Sequence, residues 1–174
     1  VRKEAGKFIK RFASRYKDRE ALVAWDVWVE PRSRIMGECA CEVSKVKYRE
    51  WLQKKFQTIE NFNEKMRKIY GSWDEINPPP SASDYAEMYL WRQWAMASLE
   101  DRVRWAAKAY REGDGGAKPL MTHVGCCSLV QDPVHDSSDD WLNSRCVEFY
   151  GSSLPWGGAS FNNPKASWHY FVIG

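Results

Sequence analysis

Glu30 is the side chain best placed to do chemistry, because of what stands around it. It closes the run Ala24-Trp25-Asp26-Val27-Trp28-Val29-Glu30-Pro31. Val23, Trp25 and Val27 alternate with Ala24, Asp26 and Trp28, and β-branched and aromatic residues suit a pleated, packed surface. Pro31 cannot extend a ladder, so a strand over Leu22 to Trp28 stops near Glu30. A carboxylate at the C-terminal tip of a buried strand is where a (β/α)8 barrel places its chemistry. The alternative is a polar strand end that only faces water, and the octapeptide alone leaves both open.

Five cysteines form the second candidate set: Cys39, Cys41, Cys126, Cys127 and Cys146. Their number is odd and two are adjacent, which argues against a secreted disulfide framework and for a reducing compartment or a metal. A cytoplasmic location is the expectation. Ten tryptophans are the third signal. Most should be core, but aromatic rings also stack on the apolar faces of sugars, and the excess points toward a carbohydrate site.

The elements that position these groups follow from periodicity. Residues 2 to about 16 read as a helix whose apolar stripe is Phe8, Ile9, Phe12 and Tyr16. After the Glu30 strand, Pro31 to Glu42 form a loop. A helix with Tyr48, Trp51, Leu52 and Phe56 on one face follows. Thr58 caps a further helix carrying Ile59, Phe62, Met66, Ile69 and Tyr70, which Gly71 ends. Asp84 and Glu87 resemble a capping box for a long helix with Met88, Trp91, Ala95, Leu99, Val103, Ala106 and Tyr110 on its stripe. The run Gly113-Asp114-Gly115-Gly116 stops it.

Short strands are expected at Leu120 to Val124 and Val147 to Tyr150. Between them Asp139 and Asp140 cap a helical turn that runs to Ser144, and residues 166–173 start another helix. With no hairpin signals, this is a parallel α/β arrangement, and three strands cannot close a barrel of eight. The basic N-terminal run (Arg2, Lys3, Lys7, Lys10, Arg11, Arg15, Lys17, Arg19) is interrupted by Glu4, Asp18 and Glu20. It reads as a solvated helix face, so no nucleic acid is expected as partner. No apolar run approaches the ~20 residues of a membrane helix. The chain starts at Val1 and stops at Gly174 just after an apolar segment, so it is read as a piece of a longer protein.

Several stretches together resemble the family 42 β-galactosidases of the large (β/α)8 glycosidase clan. Trp25 to Pro31 resembles the family's acid/base strand. Trp51-Leu52-Gln53-Lys54-Lys55-Phe56-Gln57-Thr58-Ile59-Glu60-Asn61-Phe62-Asn63 and Tyr70-Gly71-Ser72-Trp73-Asp74-Glu75-Ile76-Asn77-Pro78-Pro79 resemble its helical insertion. Thr122-His123, Asp139 to Asn143 and Val147 to Pro155 resemble its next two strands. The resemblance implies a partial (β/α)8 barrel, about strands four to six, filling residues 1–174 with a helical insertion at about 42–112. It implies a retaining glycoside hydrolase with a carbohydrate substrate, with Glu30 as general acid/base. Such an acid must stay protonated near neutral pH, which needs a dry or negatively charged surround that Trp28 helps supply. The substrate-binding set is Trp28, His123, Tyr150 and Trp156. His123 ends a strand, where it either meets a sugar hydroxyl or is bonded in the core. His135 and His169 are read as surface or packing residues. Asp26 is expected to pair with a basic residue inside a barrel layer.

The family's nucleophile is a glutamate at the end of strand seven, before which this chain is expected to stop. Glu148 is no substitute, because it sits at the start of a strand, so the chain alone should be inactive. Val29 stands where the family has asparagine, Val124 where a polar residue is expected, and Leu154-Pro155-Trp156 lacks an expected tyrosine. These departures bear on substrate choice and keep a second reading open, a non-catalytic carbohydrate-binding protein on the same fold. Some members hold a zinc on four cysteines. Cys39 and Cys41 match two, but the third place is Ser44, and the neighbours Cys126 and Cys127 that follow the next strand rarely both ligate one ion, so no cofactor and free buried thiols are expected ahead of a structural zinc, with a metal-binding domain built on the cysteines as a third reading. A homo-oligomeric parent stays open. The isolated piece should expose sheet edges and apolar helix faces and self-associate.

Overall fold

Small residues, not the aromatic stripe, decide how the first helix packs. In the computed structural model, which describes residues 1–34, 39–79, 84–124 and 136–152, α1 spans Arg2–Tyr16. Its fully buried positions are Gly6 and Ala13, while Phe8 is 69% exposed and stacks on Phe12 at the surface. The predicted stripe therefore misjudges the buried face. The reason lies in α4 (Tyr85–Asp114), which crosses α1 closely at Gly113. A Cβ on Gly113 would stand 2.6 Å from the Lys10 carbonyl oxygen and 2.8 Å from the Ala13 Cβ.

Strand β1 (Trp25–Val29) starts later than expected, because Arg19 to Leu22 close a turn through backbone bonds. It stops before Glu30 and Pro31 as predicted. Strand β2 (Ser33–Arg34) follows at once. Helix α2 (Glu42–Phe56) and helix α3 (Ile59–Met66) come next, with Thr58 accepting from the Asn61 amide as N-cap. Helix α3 ends four residues before Tyr70. Arg67 turns left-handed at φ 54°, and Asn63 takes both backbone groups of Tyr70 through its side chain. A 3-10 turn at Trp73–Glu75 leads toward α4. Asp84 caps α4 through the Glu87 amide. The Glu87 carboxylate goes to the Tyr70 hydroxyl and Lys68, so the capping box is only half made.

Helix α4 is about 45 Å long at the usual rise and serves two cores. Its first half carries Leu90, Trp91, Trp94, Ala95 and Met96 into a cluster with Tyr48, Leu52, Phe56, Phe62 and Ile76. Each large side chain buried there is worth about 1.5–3 kcal/mol. Its second half puts Val103 and Ala107 against Ala13, Trp25, Val27, Leu120 and Cys146. Gly113 lies inside the helix, and Gly115 at φ 71° is the residue that ends it. The buried Asp114 fastens this end. Its carboxylate accepts from the Trp25 indole at 2.9 Å and from the amides of Gly116 and Lys118.

Strand β3 (Leu120–Val124) matches its predicted span. Strand β4 (Asp136–Ser137) pairs antiparallel with β2 in a two-residue ladder that has no periodic signal in the sequence. Helix α5 (Asp140–Ser144) is capped by Asp139. Strand β5 (Phe149–Ser152) begins two residues late, because Cys146 and Val147 still close the α5 turn. The main sheet has the order β1-β3-β5, all parallel. Leu120 and Thr122 are fully buried on its helix-covered face. No described helix is long and apolar enough to cross a membrane.

Candidate active site

Because the three strands run parallel, their C-terminal ends gather at one edge of the sheet. Trp25 is level with Leu120 and Asp26 with Met121, but Val29 is level with His123. Three steps along β1 are thus answered by two along β3. The extra residue is a bulge, which bends the strand and turns its tip. Immediately after it, Glu30 takes φ 50°, a region non-glycine residues enter uncommonly.

On the face away from the helices the register stacks side chains in rows. Asp26, Met121 and Phe149 share one row; Val29, His123 and Gly151 share the next. Glu30 stands above them at the tip of β1. Its carboxylate pairs with the Arg32 guanidinium at 3.1 Å, and the Glu30 side chain is 37% exposed. The dry surround expected of an acid is therefore not built by the described residues. Trp28 is half-buried against the core cluster of Trp25 and Val27, and its carbonyl accepts from the Thr122 hydroxyl.

His123 lies where the sequence placed it, and Asp26 has found its basic partner there. The His123 Nδ1 is 3.1 Å from Asp26 Oδ2 across the strands. The other Asp26 oxygen is buried and has no protein partner among the described residues. Gly151 lies beside this ring. A Cβ there would meet the His123 Cβ at 3.4 Å, an ordinary contact distance.

Tyr150 is not brought to this group. It is level with Thr122, on the helix-covered side, and its hydroxyl donates to Asp140 Oδ1 at 2.9 Å. Burial first, and the Asp140 carboxylate next, push the phenol far above its usual range. Trp156 lies outside the described residues, as do His135, His169, Cys126, Cys127 and the helix expected over 166–173. Glu148 sits at the opposite end of the sheet, as its sequence position implied. Its carboxylate accepts from the Leu120 amide at 2.8 Å and pairs with Arg111, and these two contacts, in that order, hold it below the ordinary glutamate range.

Two of the thiols expected to be buried are not. Cys39 and Cys41 are exposed, and only Cys146 of the described three is buried. Cys41 caps α2, and its amide donates to the Cys39 sulfur at 3.3 Å. The hydrogen bond with Cys39, then those with Ser44, lower the Cys41 thiol to about 7. Two thiols and the Ser44 hydroxyl fall short of the four ligands zinc takes. No group of three potential metal ligands occurs among the described residues.

Signals missed by sequence reasoning are geometric. The bulge, the left-handed Glu30 and the Arg32 pair each need a register to be seen. Phe149, 60% exposed in the row of Asp26, was read only as a strand residue.

Comparison with known proteins agrees with this arrangement. The family model of the glycoside hydrolase family 42 β-galactosidases matches residues 1–124. The β-galactosidase BgaB of Geobacillus sp. (strain Y412MC61) is 34% identical over 84 residues, 45% of this chain and 12% of that protein. The β-galactosidase LacZ of Heyndrickxia coagulans is 36% identical over 87 residues, 47% of this chain and 13% of its own. The chain thus spans about an eighth of the length of these relatives. The crystal structure of the β-galactosidase from Bacillus circulans sp. alkalophilus superposes with a TM-score of 0.74 at 20% identity, covering 92% of this chain and 24% of that one. The three-stranded sheet is therefore an arc of a (β/α)8 barrel, and its interior face is the one that carries Asp26 and His123. The chain belongs to the β-galactosidases of glycoside hydrolase family 42.

Proposed function

We propose that the protein carrying this chain is a retaining glycoside hydrolase of β-galactosidase type, and that Glu30 is its general acid/base. One observation carries this most directly: a carboxylate at the C-terminal tip of a barrel strand, one residue past a bulge, in a left-handed backbone conformation. Such strain costs about 1–3 kcal/mol and clusters at functional sites. In the reaction Glu30 protonates the leaving oxygen while a second carboxylate attacks the anomeric carbon. Glu30 then takes a proton from the water that frees the sugar. Glu148 lies at the wrong end of the sheet for the second role, and Asp26 is held by His123 a row below. The nucleophile thus comes from outside the described residues.

Trp28, His123 and Trp156 are the candidate sugar contacts, and Tyr150 is better placed to brace β5 against α5. The free thiols Cys39, Cys41 and Cys146 fit a reducing, cytoplasmic setting. A second reading, a non-catalytic carbohydrate-binding protein, is favoured by Val29. This residue is level with His123, 66% exposed and unable to hydrogen-bond a sugar.

Glu30→Ala separates the two readings. On aryl β-galactosides of graded leaving ability, the hydrolase reading expects kcat/KM to fall about 10²–10⁴-fold for poor leaving groups and little for the most activated. A loss that ignores the leaving group contradicts it.

A further inference from the structure

Among the described residues, the pair Asp26–His123 is an arrangement on the barrel-interior face that neither the acid/base nor the core explains. The two side chains come from neighbouring strands and meet at 3.1 Å, with about a quarter of each side chain exposed. They sit one row apart, below the tip that carries Glu30. A carboxylate facing Nδ1 selects the tautomer whose proton lies there, which leaves Nε2 as an acceptor. The rest of the row of His123 is Val29 and Gly151, neither of which has a polar side-chain atom. Among the described residues His123 is therefore the only side chain of that row that can read a hydroxyl. A partly exposed histidine without a partner could rotate away. The pairing with Asp26 holds it in place, and the second Asp26 oxygen is buried with no protein partner among the described residues.

We propose that Asp26 is a positioning residue: it holds the Nδ1 proton of His123 and so presents Nε2 as acceptor to one hydroxyl of the bound sugar. This rests on the glycoside hydrolase reading above. The role of His123 is specificity-determining, and Asp26 acts only through it.

The test uses the protein at its natural length, an aryl β-galactoside, and its singly deoxygenated analogues. Asp26→Ala is expected to lower kcat/KM on the intact substrate up to about tenfold, the upper end for one neutral hydrogen bond, while one deoxy analogue reacts equally with wild type and variant. Asp26→Asn, whose amide oxygen still accepts from Nδ1, should recover most of the rate. His123→Asn keeps a donor toward Asp26 but lacks Nε2, so it should lose the same hydroxyl dependence and make Asp26→Ala silent when combined with it. Equal losses on every analogue, or additive losses in the double variant, overturn the proposal while leaving the hydrolase intact. A wild-type protein inactive on all aryl glycosides overturns both.

Discussion

At the scale of single residues, the side chains with unusual chemistry are held by short-range partners that a sequence only hints at. Cys41 shows this most plainly. Its thiol, lowered to about 7 by Cys39 and Ser44, is exposed at the start of α2. A thiol with that value is about half thiolate at neutral pH, and the thiolate is the reacting form. Cys41 should therefore alkylate with iodoacetamide faster than an ordinary exposed cysteine, with a rate that rises through pH 7. Cys39→Ala removes the largest cause, so the midpoint of the pH–rate profile should move up toward the ordinary thiol range. An unchanged midpoint contradicts the assignment. The sequence offered both cysteines by spacing, but their exposure was misjudged, since burial depends on what the loop packs against. Glu30 was legible because Pro31 marks the strand end. Its left-handed backbone was not, because a bulge is a property of two strands in register.

At the scale of elements, two joints carry the arrangement. The first is the crossing of α1 and α4 at Gly113. Gly113→Ala gains about 1 kcal/mol of helix propensity, but the new methyl meets the Lys10 backbone at 2.6 Å, where no side chain can yield. Overpacking of this kind costs about 1–3 kcal/mol, so a net loss is expected in denaturant titration. A stabilised variant would show that the helices separate easily. The second joint ties the start of α4 to the segment after α3. Asp84 pairs with Lys68 and caps α4, and the Lys68 contact, then the Glu87 amide, hold its carboxyl below the ordinary range. A depressed folded-state value means stability that is present above the ordinary aspartate pKa near 4 and is lost as pH falls below it. Thermal unfolding should show that loss on acidification, and Asp84→Asn should be less stable at neutral pH with a flatter acid limb. A variant with the wild-type acid limb contradicts this. The helices and caps here were legible from 3.6-residue spacing and from Thr58, Asp84 and Asp139. The packing face of α1 was not, because Gly6 and Ala13 carry no hydrophobic signal.

At the scale of the whole molecule, three bases of the N-terminal run meet acids of the fold: Arg2 pairs with Asp101, Lys7 with Glu4 and Lys10 with Glu112. The tryptophans follow the same logic. Trp91 and Trp94 fill the helical core and Trp25 the sheet core. Parallel order could be read from the alternation of patterns, and the barrel from the resemblance. The β2–β4 ladder could not, since two residues on each side leave no period to detect.

The measurement that bears most directly on the central claim is azide rescue of Glu30→Gly, made in the protein at its natural length. The substrate is an aryl β-galactoside with an activated leaving group, so that the first step survives without an acid. If Glu30 is the acid/base of a retaining enzyme, the variant stalls at the glycosyl-enzyme, azide restores turnover, and the product is the β-glycosyl azide. If azide changes nothing and the variant turns over like wild type, Glu30 is only a strained strand end, and the hydrolase account of this site is wrong.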